Sequence, residues 1–268
     1  MKKAEGKYNS NFIVGCIMVG LVLLFVIIGR IHTPYDPNKM NAALKNMGPT
    51  LSHPFGTDNF GRDIMSRVME GAGITFLIAI ITVMIGATIG TILGAITGYY
   101  GGLLDEILMR INDGVTSFPS ILLALIFVSA LGPGTYNVVL ALGIIFVPSY
   151  ARVVRSEYIV LREMDFVKNA KLMGAGDLRI MFLHILPNTR KILLPSLLIG
   201  FNNAVLAEAG MSYLGLGVQP PDPSLGRMLS EAQAYILNAP WYALAPGLLI
   251  VFTLLGVSLL SGGLSDED

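Results

Sequence analysis

Charged residues are spaced so unevenly along this chain that the gaps between them outline its architecture. Residues 12–29 carry no charge and read FIVGCIMVGLVLLFVIIG. Residues 71–104 are also uncharged, most apolar over 74–98, and so are residues 114–151, 192–207 and 232–265. A helix needs about 20 apolar residues to cross a bilayer core. The 114–151 stretch is too long for one crossing and divides at Leu131-Gly132-Pro133-Gly134-Thr135, a turn signal. The 192–207 stretch is short and must lengthen at one end. The pattern predicts an all-α, polytopic membrane protein with six transmembrane helices.

Composition agrees with that reading. The chain has 268 residues, 53% hydrophobic and 13% charged, where a soluble domain carries about 25% charged residues. Net charge is zero, which gives no general attraction to nucleic acid. One cysteine, Cys16, excludes an intrachain disulfide. The leader Met1-Lys2-Lys3-Ala4-Glu5-Gly6-Lys7 resembles a signal peptide, but the apolar stretch after it is too long for one and has no clear small-x-small cleavage site. An uncleaved first helix is expected. With the N-terminus inside, the inner segments hold 12 Lys and Arg and the outer segments 6, counted along the sequence. That bias predicts both termini in the cytoplasm; the acidic tail Asp266-Glu267-Asp268 does not oppose it, because the rule counts cations.

Gly86, Gly90, Gly94 and Gly98 recur every fourth residue in the second span. Such a stripe lets another helix approach closely where lipid removes the hydrophobic drive. Pro119, Pro148, Pro195 and Pro246 lie in or beside later spans, where each can kink its helix. Two outer segments have a helical apolar period. In 61–70, Ile64, Met65, Val68 and Met69 share one side, and Asp63 and Arg67 are spaced to pair. After Ser224, a plausible N-cap, Leu225, Met228, Leu229, Ala232 and Ile236 repeat at the same period. Both are expected to lie on the membrane face or to receive a partner.

Catalytic motifs are missing from the sequence: it has no G-x-S-x-G, H-E-x-x-H or G-x-x-x-x-G-K-[ST] run. His32 and His53 are expected outside and His184 inside, too far apart for one metal site. The central parts of the spans lack ionisable groups, with Asp113 and Glu208 only near span ends. A central charge costs ~3 kcal/mol or more, and its avoidance argues against a proton- or ion-driven carrier. The longest inner segment, 152–191, is different. Its portion 157–173 is free of Pro and Gly and predicts a helix, with Phe166, Val167, Ala170 and Met173 on one side. Gly174 is placed to cap it, Asp177 to cap a second helix over 178–185, and Pro187 to end that one. A helix-turn-helix projecting from the membrane results, suited to a groove in another protein, the alternative being an amphipathic linker that lies on the lipid surface.

At this segment the sequence resembles the permease subunits of ABC importers. Their signature is Glu-Ala-Ala, three residues, Gly, nine residues, Ile-x-Leu-Pro. Here Lys168-Asn169-Ala170 is followed by Lys171-Leu172-Met173 and Gly174, then after nine residues by His184-Ile185-Leu186-Pro187. Lys168 and Asn169 depart from the family's Glu and Ala. Residues 53–63 (HPFGTDNFGRD) and 212–221 (SYLGLGVQPP) resemble the dipeptide, oligopeptide and nickel branch, and the extra first helix resembles the C-type member of its paired permeases. The resemblance implies a type I importer permease bundle, divided into a leading helix with its outer segment (1–73) and a five-helix core (74–268). It implies a coupling helix at Asp165, Phe166, Val167, Lys168, Asn169, Ala170, Lys171, Leu172, Met173 and Gly174, docked on an ATPase. Implied partners are a second permease subunit, two cytoplasmic ATPases that bind the ATP and Mg, an outer solute-binding protein, and membrane lipid. No catalytic, metal or cofactor site is implied for this chain. Peptide is the implied cargo, with nickel or another metal chelate as the alternative.

Overall fold

The structure is a computed structural model that describes residues 10–265. The basic leader with Lys2, Lys3 and Lys7 and the acidic tail lie outside the described residues. The principal helices are α1 (Ser10–Ile31), α2 (Ile64–Tyr100), α3 (Gly102–Thr116), α4 (Ser120–Leu131), α5 (Thr135–Leu161), α6 (Asp165–Leu172), α7 (Asp177–Arg179), α8 (Arg190–Tyr213), α9 (Leu225–Ala232) and α10 (Pro240–Ser265).

Among the described residues, five helical stretches are long and apolar enough to cross a membrane: α1, α2, α5, the run from α7 through α8, and α10. The sixth expected span is broken. α4 has 12 residues, about 18 Å at 1.5 Å per residue, short of a bilayer core. It meets α3 at a bend of 85°. The break falls at Ser117-Phe118-Pro119, where Pro119 has no N–H to continue the helix and disfavours helical backbone at Phe118. The pair amounts to one crossing only if both arms share it.

Residues 64–70 form the first turns of α2 rather than a separate surface helix. α2 has 37 residues, about 55 Å, and extends past an apolar core of ~30 Å. Asp63 caps its N-terminus, accepting from the Ser66 N–H at 2.8 Å and from the Ser66 hydroxyl at 2.7 Å. The capping role occupies the carboxylate that the spacing offered to Arg67. α9 is likewise embedded: Ser224 caps it, and Leu225, Met228 and Ala232 are fully buried. Its period ends early, and Ile236 is exposed beyond a short 3-10 turn.

Three apolar clusters hold the bundle. One joins α1, α2, α8, α9 and α10 around Val68, Phe76, Val205, Met228 and Tyr242. A second joins α2, α4, α5 and α8 around Ile78, Val128, Leu142 and Met211. The third lies where α2 and α5 end and packs Tyr99 and Tyr158 on Val167, Ala170, Ile180, Met181 and Ile185. α1 closes on α10 through small residues: a Cβ at Gly15 would come within 2.6 Å of the Leu260 backbone, and one at Gly263 within 2.6 Å of Phe12 Cβ.

Candidate functional site

The sequence-predicted elbow is built from two helices where the apolar period gives one. α5 stops at Leu161, and Met164 takes an extended conformation (φ −74°, ψ 151°) before α6. The helix formers of 157–173 are thus divided by a turn at Arg162-Glu163. Val167 and Ala170 bury themselves on the third cluster, whereas Phe166, Leu172 and Met173 face outward. Leu172 is 86% and Met173 88% exposed, so the expected single apolar side splits into an anchored face and a free one. Lys168 and Asn169 are exposed, and Lys168 lies 3.6 Å from Asp165 of its own helix.

Gly174 ends α6 with φ +81°, its N–H on Lys171 O and the Ala175 N–H on Ala170 O, both at 3.0 Å. This paired closure uses the left-handed backbone that glycine adopts without strain. The next helix starts one residue earlier than its sequence predicts. Gly176 is the N-cap, and Asp177 instead accepts from the Tyr99 hydroxyl at 2.7 Å. Pro187 does not terminate it either. A π-helical turn over Ile180–Ile185 and a 3-10 turn over Leu186–Thr189 carry the chain into α8. Changing the turn period is how a helix passes a residue lacking its N–H donor.

The elbow is tied to the end of α2. Arg162 Nη1 donates to Gly98 O at 2.9 Å, Lys171 lies 5.2 Å over the Tyr99 ring, and Tyr158 donates its hydroxyl to Met181 O at 2.9 Å. Arg155 grips Asp105 of α3 with two bonds of 2.5 and 2.6 Å. These contacts join the elbow to the ends of α2 and α5 and, through Arg155, to α3.

Gly86, Gly90, Gly94 and Gly98 face α5 along its length. A Cβ at Gly86 would come within 2.8 Å of Phe146 Cβ. At Gly90 it would meet Tyr150 Cβ at 2.6 Å, at Gly94 the Ala151 carbonyl at 2.5 Å, and at Gly98 Tyr158 Cβ at 2.6 Å. The two backbones lie too close for any side chain between them.

Beside this seam is a cavity of about 670 Å³, walled by the α3–α4 corner, α5 and α8. Its polar lining is Thr116, Ser120, Ser149, Tyr150, Ser196 and Asn203, and none of the described residues around it is charged. The volume is that of a small-ligand site. Sequence reasoning passed over these residues, although Ser196 and Asn203 stand two turns apart on one helix face.

At the opposite end from the elbow, the 53–63 run forms a buried ionic clasp. Arg62 meets Asp58 at 2.5 Å and Glu231 of α9 at 3.0 Å. Arg67 lies 3.8 Å from Asp58 and 3.6 Å from Glu231. Tyr242 of α10 donates to Glu231 at 2.7 Å, and Arg227 approaches it at 3.2 Å. His53 contacts Asp63 at 2.8 Å. Burial alone would raise the Glu231 carboxyl, but the Tyr242 hydroxyl and the Arg67, Arg62 and Arg227 guanidiniums hold it below its ordinary value. Breaking a buried pair of this kind costs about 3–5 kcal/mol. The sequence hides the clasp because Arg62 and Glu231 are 169 positions apart.

A helical membrane bundle with a projecting elbow and an uncharged cavity is the architecture of a transport permease. The chain belongs to the family of binding-protein-dependent transport system inner membrane components, which it matches over residues 90–266. It is 40% identical over 260 residues to the dipeptide transport system permease protein DppC of Alkalihalophilus pseudofirmus, covering 97% of this chain and 86% of that one. It is 42% identical to the glutathione transport system permease protein GsiD of Escherichia coli O157:H7, covering 93% and 83%, and 37% identical to DppC of Haemophilus influenzae, covering 97% and 90%. The fold is that of a chain in the inward-facing MetNI methionine ABC transporter, with TM-score 0.62, 19% identity, and coverage of 76% of this chain and 98% of that one.

Proposed function

We propose that this chain is one of two homologous permease subunits of an ATP-driven importer that carries di- or oligopeptides across the cytoplasmic membrane. The observation that carries this reading is the near full-length similarity to permeases named for dipeptide and glutathione transport. Those relatives favour peptide over a nickel chelate. The chain supplies a path and no chemistry. Two cytoplasmic ATPase subunits bind ATP and Mg, and an outer solute-binding protein delivers cargo.

In this reading both termini and the elbow are cytoplasmic. Residues 165–174 are the coupling helix: Phe166, Leu172 and Met173 enter an ATPase groove while Val167 and Ala170 hold α6 to the bundle. Gly86, Gly90, Gly94 and Gly98 are the seam along which α2 and α5 move as a unit. Residues 1–73 form the leading helix and outer segment and 74–268 the core; the division falls within continuous α2, so it is one of role rather than a hinge. The ionic clasp stiffens the outer face against which the binding protein presses.

Reconstitution tests the proposal. Proteoliposomes holding both permeases and both ATPases, with the binding protein and radiolabelled dialanine outside, should accumulate the dipeptide only when ATP is enclosed. Uptake by this chain without ATPases, driven by a proton or sodium gradient, would instead establish a secondary carrier.

A further inference from the structure

Tyr150 carries a polar group that the bundle does not use. The residue is 4% exposed, and its hydroxyl finds no hydrogen-bond partner among the described residues. A buried unpaired hydroxyl is costly, and a phenylalanine would fill the same space without that cost. The ring bridges three helices in the cavity wall. Its root lies on α2, where a Cβ at Gly90 would come within 2.6 Å of Tyr150 Cβ. Its tip abuts α8, where a methyl group at Gly200 would overlap the hydroxyl oxygen. Ser149, Ser196 and Asn203 line the cavity on the same two helices, α5 and α8.

We infer that the Tyr150 hydroxyl is a hydrogen-bonding contact for the backbone amides of a peptide in transit, sealed against Gly200 in this conformation and uncovered when α5 and α8 part. The inference rests on the peptide-import reading and assigns it a residue. A hydroxyl suits the task because it both donates and accepts, so it can engage an amide N–H or C=O whatever side chains the peptide carries. The uncharged lining around it discriminates little between side-chain charges. The glycine at position 200 is required because the ring closes directly on the α8 backbone, and the Gly90 contact makes the ring's position depend on α2. Movement of α2 and α5 relative to α8 thus decides whether the hydroxyl is hidden or offered.

The test uses the full reconstituted complex, with radiolabelled dialanine delivered by the binding protein. Tyr150→Phe should lower the maximum uptake rate about three- to tenfold, the size of one lost hydrogen bond. Its melting temperature should match or exceed wild type, with KM for the loaded binding protein unchanged. Uptake equal to wild type would overturn the inference, and so would a lowered melting temperature, which would make the hydroxyl structural. Gly200→Ala alone should destabilise the complex, and adding Tyr150→Phe should restore part of the loss; no restoration would refute the closure on α8. The wild-type arm separates the two levels: absence of dialanine uptake there overturns the peptide reading itself, and the assigned contact with it.

Discussion

Adding a single methyl group at Gly94 gives a sharp test of the α2–α5 seam, because two physical rules predict opposite signs. Intrinsic helix propensity favours Ala over Gly by ~1 kcal/mol, so Gly94→Ala should stabilise if the helices merely lie side by side. In the structure the new Cβ would sit 2.5 Å from the Ala151 carbonyl oxygen and 2.9 Å from the Arg155 nitrogen, against an ordinary contact of at least 3.4 Å. The shortfall is 3.4 − 2.5 = 0.9 Å. Both obstacles are backbone atoms, so no rotamer relieves them and the helices must separate. Overpacking costs about 1–3 kcal/mol, and backbone obstruction places this site near the upper end. Net of propensity, a loss of ~2 kcal/mol is expected, a fall of about 4–8 °C in melting temperature for a chain of this size. Gly20→Ala is the internal control, since a Cβ there meets nothing within 4 Å; it should be neutral or slightly stabilising. Differential scanning fluorimetry of the purified complex in detergent measures both. Shifts of the same sign and size would refute the close-packed seam.

At Gly174 a Cβ meets nothing within 4 Å, yet φ is +81°, so the obstacle is conformation rather than space. Gly174→Val should leave insertion intact and uncouple ATP hydrolysis from uptake, because Val resists the left-handed backbone; normal coupling would show that the turn is not needed. Glu231→Gln should destabilise at pH 7 by removing the counter-charge of Arg62 and Arg67. The Glu231 carboxyl is held below its ordinary value of 4.5, so its stabilisation is complete above that value and disappears as pH falls below it. Melting temperatures from pH 7 to pH 3 should show the gap between wild type and variant narrowing below pH 4.5, and a constant gap would contradict the clasp.

Legibility in the sequence followed the range of each interaction. Membrane helices declare themselves through uncharged length, which marks α1, α2, α5 and α10, whereas the crossing through α8 reaches past its short uncharged stretch 192–207 into charged flanks. The bend after Thr116 was written in Pro119, but uncharged length overrides a single proline when spans are counted. Gly174 was legible because a cap is local: three residues of context identify it. Asp63 and Asp177 were misassigned since each carboxylate has several reachable donors: the local cap gives Asp63 to Ser66, three residues on, and tertiary packing brings Tyr99 to Asp177. The 61–70 period described a buried helix start as well as it described a surface helix, because an apolar stripe does not say what covers it. Asp58 and Arg62 are four residues apart, but the contacts of Arg62 and Arg67 with Glu231 and the Tyr150–Gly200 contact join distant segments and left no mark in local spacing.

Site-directed cross-linking measures directly whether force enters this chain at α6. In a Cys16→Ser background, Leu172→Cys places a thiol on the exposed face of the elbow. In membranes containing the whole complex, a short bifunctional maleimide should join this chain to an ATPase subunit carrying a single groove cysteine, and the yield should change when ATP is added. A yield no higher than that of a control cysteine on the lipid-facing side of α1, with or without ATP, would contradict the claim.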